Sequence, residues 1–171
     1  MKGDREAFGS LYERYLDQIY RYVFYRVLSS EEAEDLTEST FLHVWQDLRN
    51  RKNQIKNFSA WVYRVAHNLV IDHQRKKKPV SIDLEDSAEF TPGDDPGTED
   101  AVLIKLDSQQ VVKALQQLEP NAQQVIILRF LNGLSHTQTA QALALNEGHV
   151  RVLQYRALKQ LREILNEDKD E

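Results

Sequence analysis

Between Pro79 and Asp107 the chain places three of its four prolines and two of its six glycines, with Thr-Pro-Gly-Asp-Asp-Pro-Gly-Thr at the centre. Proline removes a backbone donor and glycine costs backbone entropy, so regular structure does not run through such a stretch. Residues 79–108 also hold nine acidic side chains against one basic, a composition that cannot supply a core. The chain therefore reads as two units joined by a flexible acidic linker, with boundaries expected at 1–78, 79–107 and 108–171. The linker also explains the overall charge of −5 and pI of about 5.6. Without it the first unit is basic, with 14 Lys and Arg against 11 Asp and Glu, and the second is balanced at seven of each.

Both units read as helical. In the first, Phe8, Leu11, Tyr15, Ile19, Tyr22 and Val23 recur near helical spacing and predict a helix over 6–28. Ser29-Ser30-Glu31-Glu32 matches a capping box and opens a second helix to about Leu48. Its core stripe is Ala33, Leu36, Thr37, Thr40, Phe41, Val44 and Leu48, and its other face carries Asp35, Glu38, Leu42 and Gln46. An exposed leucine among acids fits either a solvated face or a protein-docking surface. A third helix runs from Asn57 to Lys78. In the second unit, helices are predicted over 103–118, ended by Glu119-Pro120, and over 122–131, ended by Asn132-Gly133. Ser135-His136-Thr137-Gln138 is a further capping box, and Asn146 can cap a last helix from Glu147 to about Leu165. No strand pattern or internal repeat occurs. The expected fold is all-α: an N-terminal helical bundle and a C-terminal helix-turn-helix bundle.

The third helix carries the chemistry of a surface for unpaired DNA. Aromatic rings stack on exposed bases, Arg and Lys meet the phosphates, and amides read base edges. On a helical wheel Phe58, Val62, Val65 and Leu69 face inward, Trp61 lies at the edge, and Arg64, Asn68, Ile71 and Arg75 form a neighbouring stripe. Tyr63, His67 and Gln74 are expected opposite the core. The preceding loop, Lys52 to Asn57, adds amides and lysines, among them Asn53 and Lys56. The plain alternative is an amphipathic helix with a solvated basic end. In the second unit Ala140, Ala144 and Val150 occupy the small-residue, turn and anchor positions of a helix-turn-helix. Its last helix would bury Val150, Leu153, Ala157, Leu161 and Ile164. It would project Arg151, Val152, Tyr155 and Lys159, with His149 and Arg156 on the flanks, toward a major groove. A helical hairpin at a subunit interface is the competing account.

Catalysis finds no support. The chain lacks cysteine, which excludes disulfides, thiolate metal sites and cysteine nucleophiles. Its histidines, His43, His67, His73, His136 and His149, show no i, i+4 pairing for zinc, and no Gly-rich phosphate loop occurs. No catalytic residue, metal or cofactor is expected. No apolar run approaches the roughly 20 residues of a membrane span, and the N-terminus lacks a signal-peptide pattern, so a cytoplasmic protein is expected.

Taken together, these motifs resemble the extracytoplasmic-function sigma factors, small two-domain members of the major bacterial sigma-factor family. Glu34-Asp35-Leu36-Thr37-Glu38-Ser39-Thr40-Phe41-Leu42-His43-Val44-Trp45 is similar to the family's core-polymerase-binding helix. Trp61-Val62-Tyr63-Arg64-Val65-Ala66-His67-Asn68-Leu69-Val70-Ile71-Asp72 is similar to its promoter-melting helix. The resemblance implies a transcription initiation factor that docks on the clamp helices of the polymerase's largest subunit through Asp35, Glu38, Ser39, Leu42 and Gln46. It also implies capture of the melted minus-ten strand by Asn53, Lys56, Asn57, Phe58, Trp61, Tyr63, Arg64, His67, Asn68, Arg75 and Lys76. Ser135, Thr137, His149, Arg151, Val152, Tyr155, Arg156 and Lys159 would then read the minus-thirty-five duplex, beside the polymerase flap. An anti-sigma factor is an implied partner. The alternative is an autonomous helix-turn-helix regulator that binds duplex DNA without polymerase.

Departures from the family pattern concentrate in the second unit. Asn121 and Gln123 stand where basic residues are common, Gln138-Thr139-Ala140 replaces Glu-Ile-Ala, and Ala144 takes a turn position usually held by glycine. His43 and His67 replace arginines. Imidazole gains charge below about pH 6.5, so these histidines are expected to strengthen DNA contacts in acid. Unchanged promoter affinity between pH 6 and 8 would exclude that.

Overall fold

The computed structural model describes residues 2–50, 55–77 and 109–170, and every regular element among them is helical. The linker and the start of the predicted 103–118 helix lie outside the described residues. In the first half, α1 (Lys2–Val27), α2 (Ser30–Asn50) and α3 (Phe58–Lys77) pack on one another in all three pairings. The turn between α1 and α2 is two residues long because Leu28 takes a left-handed conformation (φ 55°), which lets its N–H close on the Phe24 carbonyl at 2.7 Å. Ser29 then starts α2 as expected, its Oγ accepting from the Glu32 N–H at 3.3 Å. Asn57 does the same for α3, accepting from the Ala60 N–H at 3.1 Å.

The second half consists of α4 (Gln109–Gln116), α5 (Pro120–Ile126), a π-helical turn (Ile127–Leu131), α6 (His136–Leu143) and α7 (Glu147–Asp170). Pro120 opens α5 at a position where its missing N–H is not needed. The expected 122–131 helix is continuous in the chain but widens at its end. The Asn132 N–H reaches back five residues to the Ile127 carbonyl at 3.0 Å, and Gly133, at φ +70°, lets Leu134 N–H reach Leu128 at 2.9 Å. Ser135 and Gln138 form the reciprocal capping box anticipated for α6. Ala144 ends α6 in the left-handed region (φ 55°, ψ 39°), so alanine does adopt the turn usually given to glycine. Asn146 caps α7, accepting from His149 N–H at 2.7 Å.

One run decides how the halves meet. Ala122 through Leu128 are all buried, including Gln123 and Gln124. A helix buried on every side must be covered from two directions. On one side α7 packs against α5; on the other, α1 and α3 supply the cover. The π-helical turn lies against α1, and α3 lies against α6.

Candidate nucleic-acid interface

The α3 surface differs from the helical-wheel expectation. Val62, Ala66 and Val70 are fully buried along one i, i+4 line, while Phe58, Val65 and Leu69 are only partly buried. Tyr63, expected opposite the core, is fully buried, and His67 and Gln74 are half-buried. The wheel located the face toward α1 and α2 but could not anticipate a second cover from the C-terminal half. Arg64, Asn68, Arg75 and Lys76 remain exposed, as does Lys56 ahead of the helix. Trp61 is half-buried with its ring edge-to-face on Phe58, centroids 5.6 Å apart, and Phe58 in turn lies 5.5 Å from the Tyr15 ring. The polar side of α3 thus splits into an open stripe, Arg64 to Lys76, and a covered one, Tyr63 to Gln74. Asn53 lies outside the described residues, and the Asn57 carbonyl oxygen is used in capping.

The covered stripe is a network of buried polar groups. Tyr22 of α1 donates its hydroxyl to Gln124 Oε1 at 2.7 Å, and the same oxygen accepts from His67 Nδ1. Arg26 donates to Gln123 Oε1 and, at 2.9 Å, to Gln74 Oε1. Asn132 Nδ2 donates to the Gln18 carbonyl at 2.9 Å and to the Tyr63 hydroxyl at 3.1 Å. The electrostatics follow from burial. Loss of solvent raises the Tyr22 phenol and pushes Tyr63 up to about 12, against the Asn132 hydrogen bond that lowers it. Burial pulls His67 down, more than its Gln124 bond restores, and nearby Arg26 and Arg64 lower it further. Burial thus disfavours the charged form of His67 and works against the gain of DNA affinity expected in acid while the ring stays covered. The sequence named Tyr22 only as a core position, Gln123 only as a departure from a common basic residue and Asn132 only as a helix end, and Gln18, Arg26 and Gln124 were not singled out. The available signal was two adjacent glutamines inside the apolar run from Ala122 to Leu128.

On α2 the surface is as expected: Asp35, Glu38, Leu42 and Gln46 are exposed, Leu42 at 54%, and Ser39 is half-buried. Beside it α1 and α2 enclose a groove of about 460 Å³ lined by Phe8, Tyr12, Phe41, Leu42 and Trp45, with Arg5 and Glu38 at the charged rim. On α7, Val150, Leu153, Ala157 and Leu161 are buried and Ile164 is half-buried. Arg151 and Lys159 are exposed, while His149, Val152, Tyr155 and Arg156 are half-buried along the same side. Ser135 and Thr137 at the start of α6 are exposed as well. Arg151 is held in line by Glu147, one turn back, at 3.2 Å. Arg129 is half-buried and donates to Gln154 Oε1 at 3.1 Å, tying the π-helical turn to α7.

No helix among the described residues is long and apolar enough to cross a membrane. Residues 11–80 match the family model for Sigma-70 region 2, and residues 114–163 that for Sigma-70, region 4. The chain is 37% identical to the ECF RNA polymerase sigma factor BldN of Streptomyces coelicolor over 97% of its own length, and spans 63% of BldN. It is 32% identical to the ECF RNA polymerase sigma factor SigW of Bacillus subtilis, covering 97% of this chain and 92% of SigW. Its fold is similar to CnrH, solved in complex with the cytosolic domain of CnrY, at a TM-score of 0.73 and 22% identity over 98% of this chain and 92% of that one. Both family regions occur in order and a relative of nearly full length exceeds 30% identity: the chain belongs to the extracytoplasmic-function family of RNA polymerase sigma factors.

Proposed function

We propose that this chain is a bacterial transcription initiation factor that binds core RNA polymerase, directs it to specific promoters and captures the melted minus-ten strand. It works by binding energy, without catalysis and without a cofactor, in the cytoplasm. Residues 1–78 form the polymerase- and minus-ten-binding domain, 79–107 the acidic linker, and 108–171 the minus-thirty-five-binding domain. The observation that carries this reading is the pairing of two exposed surfaces on adjoining helices. The acid-and-leucine face of α2 (Asp35, Glu38, Leu42, Gln46) suits a protein partner, and the Arg64–Asn68–Arg75 stripe of α3 suits a single strand. Exposed Arg151 and Lys159 of α7 suit a duplex. One structural relative, RpoE of Bartonella quintana, was solved with the anti-sigma factor NepR, and a protein inhibitor of that kind is proposed for this chain too.

The test is to mix the full chain with core polymerase and a promoter fragment carrying a melted bubble. Core binding and specific transcripts are expected. Failure of both overturns the reading, and tight binding to duplex without polymerase would favour an autonomous regulator. Within the working complex, Arg64→Ala should slow strand opening more than recruitment, and Arg151→Ala the reverse. Equal effects on both steps would contradict this division of labour.

A further inference from the structure

We infer that Glu32 is a positioning residue that decides which cations of α3 meet the phosphates of a bound single strand, by holding Lys77 out of that set. The inference rests on the function proposed above and deepens it, since it fixes the line along which the strand's backbone is held.

The start of α2 meets the end of α3 at one carboxylate. Glu32 lies in the first turn of α2, where the helix dipole favours a negative charge. Its Oε2 is 3.2 Å from His73 Nε2, and its Oε1 accepts from Lys77 Nζ. His73 and Lys77 are one turn apart and continue the buried line of Val62, Ala66 and Val70 to the last residue of α3. Arg64, Asn68 and Arg75 lie on the opposite, exposed side of the helix. The last turns of α3 do not depend on Glu32 for their place. Gln74 accepts from Arg26 Nη2 of α1 at 2.9 Å and donates to the Arg26 carbonyl at 3.2 Å, which fixes this end of the helix independently.

The Lys77 side chain is 55% exposed and that of Glu32 25%, and an ion pair so open to water contributes little to stability. Its effect on the distribution of charge is larger. The last turn of α3 carries three strong cations, Arg75, Lys76 and Lys77. Arg75 and Lys76 are exposed and have no carboxylate in ion-pairing range among the described residues, whereas Lys77 is matched by Glu32. Phosphate contacts set the register of a strand on a protein, and base contacts then read it. With Lys77 drawn to the far side of the helix, the backbone is left to follow the open stripe from Arg64 to Lys76. A released Lys77, on its flexible four-carbon stem at the helix end, would offer the strand one further phosphate contact off that line.

The experiment measures binding of the full chain to a fluorescein-labelled oligothymidylate by anisotropy, between about 50 and 200 mM salt. Glu32→Gln keeps the shape of the side chain and releases Lys77. Tighter binding is expected, with a logarithmic salt slope steeper by about 0.7, so that the gain over the parent is about 2.5-fold larger at the low end of that range than at the high end. Lys77→Gln should cancel the gain in the Glu32→Gln background and change little in the parent. Glu31→Gln is the control, because it removes the same charge from the same turn of α2 but from a side chain that pairs with no described cation; its slope should match the parent's. A merely structural role for Glu32 predicts equal or weaker binding by Glu32→Gln, and that result overturns the inference. So does the absence of binding by every form, a gain that survives Lys77→Gln, or the same steepening in Glu31→Gln. The measurement needs neither polymerase nor promoter, so failure of the promoter-reading function is recognised separately, as absence of core binding by the parent.

Discussion

Ala144 allows the helix-turn-helix to be tested at a single backbone position. It sits at φ 55°, ψ 39°, is exposed, and ends α6 so that the Leu145 N–H can bond the Ala140 carbonyl at 2.9 Å. In that region an alanine Cβ crowds the following carbonyl, at about 1–2 kcal/mol. Glycine removes the clash but adds freedom to the unfolded chain, worth about 0.4–1 kcal/mol against it. Because the methyl is exposed, little burial is lost, and Ala144→Gly should stabilise the fold by about 0.5–1 kcal/mol. For a chain of this size that raises the unfolding midpoint by about 1–4 °C, readable by circular dichroism or calorimetry. Ala142→Gly, two residues earlier, is the control: Ala142 is helical and fully buried. There glycine loses helix propensity, about 1 kcal/mol, and a buried methyl, about 0.8 kcal/mol, so destabilisation near 2 kcal/mol is expected. If Ala144→Gly lowers the midpoint as Ala142→Gly does, the left-handed turn, and with it the angle between α6 and α7, is wrong.

Three further outcomes follow from particular contacts. Ser135→Ala removes one arm of the α6 capping box and should cost about 1 kcal/mol by urea titration, with Ser135→Thr largely restoring it; no loss would mean the cap is redundant. Leu42→Arg, at a side chain 54% exposed, should leave the unfolding midpoint within about 0.5 kcal/mol of the parent yet weaken capture on immobilised core polymerase; undiminished capture would remove α2 from the docking surface. Acid should weaken the packing around His67. Tyr22 and Arg26 from α1, Gln124 from α5 and Arg64 on its own helix surround His67, whose protonation is disfavoured in the folded chain relative to its ordinary value of 6.5. Its contribution to stability is therefore present above about pH 6.5 and is lost as pH falls through the depressed value. The urea unfolding midpoint should fall between pH 7.5 and pH 5.5 by more in the parent than in His67→Asn; equal shifts would refute this.

Much of the local structure was legible because it depends on short-range rules. Ser29, Ser135 and Asn146 cap helices where their side chains predicted, and Asp35, Glu38, Leu42 and Gln46 fall on the open face of α2. The anchors of the last helix, Val150, Leu153, Ala157 and Leu161, are buried as their spacing required. The π-helical end of α5 was not legible, since a single widened turn leaves the apolar spacing nearly unchanged.

The all-α fold class, the caps at Ser29, Ser135 and Asn146 and the open side of α2 could be read from the chain alone, because capping and 3.6-residue periodicity act within a few residues. The covering of Tyr63, His67 and Gln74 depends on contacts made far along the chain. A helical wheel records the polarity of a face but not what is brought against it from more than fifty residues away. Gln124 and Asn132 bond His67 and Tyr63, and Arg26 of α1 bonds both Gln74 and Gln123, which turns an expected DNA-facing stripe into a contact between the two halves.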